Sequence, residues 1–253
     1  MLSHMTELLE LSVIVPVKDE AENLKPLVNE LTCILDTYGT NYEILYVDDG
    51  SADRTPEILK KLEAQVPRLC FLRHPQCFGQ SAAILTGVQA AKGAVIATLD
   101  GDGQNDPADI PALLERYRRE ERLLGSELVM IAGYRAKRKD AILKKVSSRI
   151  ANAVRKVLLK DDTLDTGCGL KVFARAMFMA LPHFNHMHRF LPALVIRAGG
   201  RVISVPVNHR PRAHGFSKYG VWNRLWIGIM DLLGVMWLTR RSIKAVPEIQ
   251  DRL

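Results

Sequence analysis

The sequence predicts an α/β fold, a mostly parallel sheet with helices on both faces, on three observations. Short β-prone apolar runs alternate with stretches of helical period through the first half of the chain. Its 253 residues, 47% hydrophobic, can bury a substantial core, and no Pro/Gly/Ser-rich linker, repeat or low-complexity segment divides them. Acidic and glycine residues collect directly after the apolar runs, at the strand ends where open α/β sheets bind ligands.

The first strand is LSVIVP (11–16), followed by Lys18-Asp19-Glu20 and a helix near 21–36. EILYV (43–47) is the second strand and runs into Asp48-Asp49-Gly50-Ser51. Asp53, ahead of Arg54-Thr55-Pro56, reads as the N-cap of a helix near 54–64: a short carboxylate accepts from unpaired first-turn N–H groups, and proline suits that turn. A third strand at 69–73 leads to a helix at 79–92, a fourth strand at 94–99 to a helix at 107–122, and ELVMIA (127–132) is the fifth strand. Right-handed βαβ crossovers make such a series parallel.

The fourth strand ends in Asp100-Gly101-Asp102-Gly103-Gln104, with Pro107 restarting the chain as a helix. Two carboxylates and an amide oxygen at alternate positions form a hard-oxygen set suited to Mg²⁺ or Mn²⁺, whose open positions phosphate oxygens can fill. The spacing alone fits a solvated Asp/Gly turn equally well. Three acidic clusters converging on one sheet edge tip the reading toward a metal-bound nucleotide.

The formal charge of +7 is segregated. Residues 1–132 carry 12 Lys/Arg against 21 Asp/Glu, and residues 133–253 carry 23 against 7, giving −9 and +16. The basic half implies an anionic partner: phosphate, nucleic acid or an anionic membrane surface. A nucleic-acid binder would leave the acidic strand ends unexplained, so nucleic acid is not expected as a partner. Cys33, Cys70, Cys77 and Cys168 have neither CxxC nor disulfide-dense spacing, which suits a reducing compartment. MLSHMTELLE is acidic and lacks the apolar stretch of a signal sequence, so a cytoplasmic protein is expected.

VIVPVKDEAENL, YVDDGSADRT, FGQSAAILTGVQAAKGAVIATLDGDGQNDP and the later HRPRAHGFSKYG resemble family 2 glycosyltransferases of the GT-A (Rossmann-like) fold, in the polyprenyl-phosphate, dolichyl-phosphate mannose synthase-like branch. The resemblance covers roughly residues 11–220. It implies that Pro16, Lys18, Glu20, Val47 and Asp49 bind the donor nucleotide, and that Asp100 and Gly101 lie along its diphosphate. Asp102 and Gln104 become the principal metal ligands, with Asp100 acting directly or through water. The family's usual aromatic-Asn-Glu after the first proline is Lys18-Asp19-Glu20 here.

The same resemblance orders the basic half. Gly133-Tyr134-Arg135 matches the family's Gly-x-Arg and puts Arg135 near the reacting phosphates. In KRKDAILKKVSSRIANAVRKVLL, Lys144 and Ser148 share a helix face and, with Arg149, are candidates for the acceptor phosphate, while Ile142, Val146, Ile150 and Val154 pack inward. Asp165-Thr166-Gly167-Cys168-Gly169-Leu170-Lys171 resembles D-x-T-x-G-F-[RK], with Asp165 at the sugar site or capping a loop. Some relatives carry a carboxylate base where this chain has Gly169. A phosphate acceptor needs none, since its second pKa of about 6 leaves it mostly dianionic at neutral pH, whereas a hydroxyl acceptor would. His183, His186 and His188 lack zinc spacing; His188-Arg189-Phe190 matches the branch's HRF and falls on the acceptor side. Arg212 and Lys218 are placed on the departing diphosphate.

VWNRLWIGIMDLLGVMWLTRR carries Arg224, Gly228, Asp231, Gly234 and Arg241 on one narrow stripe and apolar residues elsewhere. Its uninterrupted apolar extent falls short of the about 20 residues of a span, so an amphipathic helix lying in the membrane surface is expected. Packing on the sheet or on a second copy, a homo-oligomer, is the competing arrangement. The expected organisation is a GT-A domain over 1–220 and a membrane-associating helix and tail over 221–253. The expected activity is metal-dependent, inverting transfer from a nucleotide-diphosphate sugar, GDP-mannose or a UDP-hexose, to dolichyl or undecaprenyl phosphate, peripherally on the cytoplasmic face of a membrane. The alternatives are a glycan-hydroxyl acceptor, a non-catalytic anion- or nucleic-acid-binding protein and an inactive partner subunit.

Overall fold

A computed structural model describes residues 9–136, 158–159, 161–211 and 221–241. Along the chain run β1 (Leu11–Val17), α1 (Ala21–Tyr38), β2 (Tyr42–Asp48), α2 (Thr55–Gln65), β3 (Leu69–Arg73), α3 (Gln80–Ala90) and β4 (Val95–Thr98). A 3₁₀ turn (Pro107–Asp109) enters α4 (Ile110–Leu124), followed by β5 (Val129–Arg135), β6 (Lys171–Ala174) and α5 (Arg175–Ala180). A second 3₁₀ turn (Met187–Arg189), α6 (Leu191–Arg197), β7 (Arg201–Val207) and α7 (Val221–Arg240) follow.

The seven strands form one sheet in the order β3-β2-β1-β4-β6-β5-β7. All pairings are parallel except those of β6, which runs antiparallel to β4 and β5. Helix α3 packs on β1 and β2, α4 on β5 and β6, and α6 on β5 and β7. Leu11, Val13 and Val15 of β1 are as fully buried as Ser12 and Ile14, so both faces of that strand are covered, as a parallel sheet requires.

Two details depart from the sequence reading. β5 runs on to Arg135 because β7 pairs with its whole length, Gly133 opposite Val205 and Arg135 opposite Val207. β7 carries Pro206, which lacks an N–H and is tolerated because the strand lies on the sheet edge. α2 begins at Thr55 with Arg54 as N-cap, one residue later than expected. The Asp53 carboxylate still accepts from Thr55 N at 2.9 Å, and also from Ala21 N at 3.3 Å, so it joins the starts of α2 and α1.

Helix α7 docks through few contacts. Val235 joins Leu159, Phe190 and Ala193 in a small apolar cluster beside the main core, Asp231 pairs with His186 at 3.0 Å, and Arg197 Nε donates to Leu238 O at 3.0 Å. Ile229, Met230, Leu233 and Trp237 stay exposed. Among the described residues no helix is long and apolar enough to cross a membrane.

Candidate active site

Parallel pairing aligns the C-terminal ends of β1, β2 and β4: Pro16 lies opposite Val47, Val17 opposite Asp48, and Ile14 opposite Thr98. The turn after β4 folds tightly against this edge. A Cβ on Gly101 would stand 2.3 Å from Val17 Cγ1, and Gly103 has φ +72°, which only glycine adopts without strain. Asn105 Oδ1 accepts from Asp100 N at 3.2 Å, and Asp102 Oδ1 from Gln104 N at 3.1 Å.

Asp100 enters a cleft of about 290 Å³ whose walls include Pro16, Gln80, Arg135, Gly169, Lys171, His188 and Arg189. Gln80 Nε2 donates to its carboxylate at 2.9 Å. Burial, then the charge of Asp102, pushes the Asp100 carboxyl up to about 6, against the opposing pull of Lys171 and Arg135. A buried carboxylate whose proton affinity a second carboxylate raises is half of a cation-seeking pair. Among the described residues no three His, Cys, Asp or Glu side chains cluster as a complete metal site. Two carboxylates completed by donor phosphates and water are the kind of set that Mg²⁺ takes, so Asp100 and Asp102 fit a nucleotide-borne divalent ion better than a resident one.

The same cleft carries basic groups. Arg135 donates Nε to Asp165 Oδ2 at 2.6 Å and Nη2 to Asp165 Oδ1 at 2.9 Å, a fork that fixes the guanidinium plane. Burial works against the Arg135 charge, but Asp165 outweighs it and holds the group above its ordinary pKa. Asp165, expected at the sugar, thus commits both oxygens to Arg135. Lys171 is 4% exposed and donates to the carbonyls of Cys168 and Thr166; burial draws its pKa down. Thr98 Oγ1 donates to Gly169 O at 2.6 Å, tying this loop to β4. A Cβ on Gly169 would fall 2.3 Å from the Asp100 carboxyl carbon, so the space that would take a carboxylate at 169 is filled by Asp100.

On the nucleotide side, Asp49 Oδ1 accepts from His74 Nδ1 at 2.9 Å and Phe78 N at 2.8 Å, and Oδ2 from Gly79 N at 2.7 Å and the Cys77 thiol at 3.2 Å. Burial alone would raise its pKa, but these donors hold it below the ordinary carboxylate value. All four acceptor sites are engaged, so Asp49 folds residues 74–79 over the end of β2. Lys18 bonds to Cys77, which raises the lysine's pKa. Glu20 accepts from Asn23 Nδ2 at 2.6 Å at the start of α1, and Val47 is buried beneath the edge.

The segment after β7 is laced to the metal-type turn. Asn105 bridges to His209, Arg210 N donates to Gln104 O at 2.9 Å, and the Arg210 guanidinium pairs with Glu30 and Asp106 at 2.7 Å each. Arg212 and Lys218, and likewise Lys144, Ser148 and Arg149, lie outside the described residues. Sequence reasoning missed Gln80, Ser81 and Lys171 as lining or supporting groups. The signal for Lys171 was its place at the [RK] position of the D-x-T-x-G-F-[RK] segment, at the opening of the apolar run KVFA.

The family profile described as Glycosyl transferase family 2 matches residues 12–181. The chain is 37% identical over 238 residues to dodecaprenyl-phosphate galacturonate synthase of Rhizobium johnstonii, covering 92% of this chain and 68% of that protein. It is 34% identical over 228 residues to undecaprenyl-phosphate 4-deoxy-4-formamido-L-arabinose transferase of Edwardsiella ictaluri, covering 89% and 65%. It therefore spans about two thirds of the length of these relatives. Among solved structures, glucosyl-3-phosphoglycerate synthase of Mycobacterium tuberculosis with Mn²⁺, UDP and phosphoglyceric acid superposes with TM-score 0.64 at 14% identity, over 93% of this chain and 80% of that one. A Pyrobaculum calidifontis mannosyltransferase with GDP-Man and Mn²⁺ gives 0.60 at 18%, over 94% and 66%. At such identities the likeness shows the fold alone, and that fold is the GT-A arrangement expected from the sequence.

Proposed function

Since the chain belongs to Glycosyl transferase family 2, we propose that it moves a sugar from a nucleoside-diphosphate donor onto a polyprenyl phosphate, with inversion at the anomeric carbon. The observation that carries this reading is the polarity of the cleft. Asp100, coupled to Asp102, lines it together with Arg135, Lys171 and Arg189. Such a cleft suits a reaction between two phosphorylated molecules, one brought in with a cation and the other met by fixed positive charge. The names of the relatives, which specify dodecaprenyl and undecaprenyl phosphate, support the lipid class of the acceptor.

Asp100 and Asp102 would hold Mg²⁺ or Mn²⁺, with Gln104 beside them; when bound, the ion neutralises charge on the leaving diphosphate. Arg135, held rigid by Asp165, presents an oriented cation to the reacting phosphates without reorganising during the reaction. No carboxylate base stands at 169, and a dianionic phosphate nucleophile asks for none. The resemblance assigns Pro16, Lys18, Glu20, Val47, Asp49 and Gly101 to the donor and Arg212 and Lys218 to the departing diphosphate, and the basic stretch that carries Lys144, Ser148 and Arg149 offers those three to the acceptor phosphate. The tether of Arg210 to Gln104 and Asp106 supports the assignment of Arg212 and Lys218, because it starts that segment beside the donor turn.

We assign the exposed residues Ile229, Met230, Leu233 and Trp237 of α7 to a membrane surface, with residues 221–253 as the membrane-associating part and the enzyme peripheral on the cytoplasmic face. The test is a panel of GDP- and UDP-sugars with undecaprenyl phosphate and Mg²⁺ or Mn²⁺, read by mass spectrometry of the lipid product and NMR of its anomeric configuration. An inverted lipid-phosphate sugar is expected. Transfer only to glycan hydroxyls, or a retained anomer, would overturn the reading.

A further inference from the structure

His188 stands in the cleft wall beside Lys171 and Arg189, and the proposed reaction gives it no task. Its ring is held from behind by Ser81, in the first turn of α3 and 4% exposed. Ser81 Oγ accepts from the His188 backbone N–H at 3.2 Å and lies 2.7 Å from His188 Nδ1. Among the described residues, Nδ1 is the one acceptor within reach of the buried Ser81 hydroxyl proton, so the hydroxyl donates and Nδ1 accepts. The imidazole proton then belongs on Nε2, which has no hydrogen-bond partner among the described residues. Burial, then the charges of Arg189, Lys171 and His186, drive the ring pKa down to about 3. A cation is thereby excluded, and an unprotonated Nε2 would leave the Ser81 proton without an acceptor.

The adjacent residue, Gln80, holds Asp100 on the donor side of the same cleft. The start of α3 thus orients one group for each substrate: Gln80 sets the Asp100 carboxylate, and Ser81 sets the His188 ring. A directional N–H donor in a cleft that also holds two cations matches an anionic oxygen, whose remaining lone pairs those charges alone would not orient.

We propose that Ser81 fixes His188 with its proton on Nε2, and that this N–H donates to a phosphate oxygen of the acceptor, orienting the nucleophile in the cleft that Lys171 and Arg189 also line. The inference rests on the polyprenyl-phosphate reading above. His188 is here a contact residue for the acceptor, and Ser81 a positioning residue acting through it.

Three measurements test it. In ¹⁵N-histidine spectra, the signal lost in His188→Gln should show the uncharged Nε2–H tautomer from pH 5 to 8, and its Nε2 resonance should shift when inorganic phosphate or a short-chain prenyl phosphate is added. The prenyl phosphate should act at lower concentration if the lipid is the source of the phosphate. In kinetics with undecaprenyl phosphate, His188→Phe should raise the acceptor KM by about 10- to 100-fold, the range expected for a hydrogen bond to a charged group, and leave the donor KM unchanged. His188→Gln, which restores an N–H near the Nε2 position, should recover most of the loss. Ser81→Ala should raise the acceptor KM in the wild-type background but add nothing in the His188→Gln background. An Nδ1–H tautomer, a ring titrating near 6.5, additive Ser81→Ala and His188→Gln effects, or a loss confined to the donor KM would each overturn the proposal. Because the spectra need no turnover, a chain that transfers to no polyprenyl phosphate but keeps the tautomer and the phosphate response would sink the functional reading and leave the phosphate-donor geometry standing.

Discussion

Gly169→Ala tests whether the Asp100 carboxylate must sit where it does. The new Cβ would lie 2.3 Å from Asp100 Cγ and Oδ2 and 2.4 Å from Oδ1, more than an ångström inside the roughly 3.5 Å at which such atoms rest. Thr98 holds the Gly169 carbonyl at 2.6 Å, so the aspartate has to yield, breaking its bond from Gln80. Overpacking costs about 1–3 kcal/mol. Moving the carboxylate into solvent offsets this, because raising its pKa to about 6 stores about 2–3 kcal/mol at neutral pH. The two contributions nearly cancel, so Tm should move by only a few degrees. Between about pH 4 and 6 the folded wild type retains a proton that the unfolded chain has lost, so its stability falls as pH rises through that window; the variant should lack this slope. Function should not be spared: displacing a ligand or its orienting shell typically costs 10–100-fold in metal affinity. Calorimetric titration of GDP and UDP with Mn²⁺, alongside urea unfolding at several pH values, reads both effects. A Gly169→Ala protein with wild-type nucleotide affinity and turnover would refute the argument that Asp100 acts from this position.

Asp102→Ala should abolish transfer and metal-dependent nucleotide binding while leaving the urea midpoint nearly unchanged, since a partly exposed turn residue contributes little to the core; near-normal turnover in the folded variant would remove the turn from the mechanism. Asp165→Asn leaves Arg135 charged but only partly answered in a largely enclosed position, which should cost about 3 kcal/mol or more and lower Tm by roughly 6–12 °C, as measured by calorimetry. His188 is held uncharged far below its ordinary pKa, so the unfolded chain binds a proton that the folded one does not, and stability should fall as pH drops below about 6.5. His188→Gln should remove up to about 1.4 kcal/mol per pH unit of that fall between pH 6 and 4; an unchanged slope in urea titrations would contradict it. Replacing Leu233 and Trp237, 45% and 61% exposed, with Asp should weaken binding to anionic liposomes at least tenfold and reduce transfer to long-chain polyprenyl phosphate while sparing a short soluble analogue. Joint loss of both activities with aggregation would instead place this face in a protein interface.

The alternation of apolar runs and helical stretches was enough to place β1 to β4, α1 to α4 and the acidic strand ends, because each element follows from local periodicity and each cluster from its place after a strand. β6 left little trace: four residues, antiparallel, made a strand by β4 and β5 on either side. The extension of β5 to Arg135 likewise depends on a partner 72 residues further along the chain. The two carboxylates of the β4 turn, and their suitability for a divalent ion, were legible in one pentapeptide, since hard-oxygen chemistry lies in residue type and spacing.

Which of these groups is free to meet a ligand was not legible. Asp49 and Asp100 read alike in sequence, each an aspartate beside a glycine at a strand end. Folding surrounds Asp49 with four donors from residues 74–79 and leaves Asp100 facing a cleft, pressed against Gly169 and raised toward neutrality. Asp165 and Arg135, and Ser81 and His188, are 30 and 107 residues apart, and only packing brings them into hydrogen-bond range. The sequence by itself determined the chemistry on offer at the sheet edge, because side-chain type and strand-end position are local properties. Tertiary structure alone decided the charge, tautomer and availability of each group, because these depend on burial and on partners that distant segments supply.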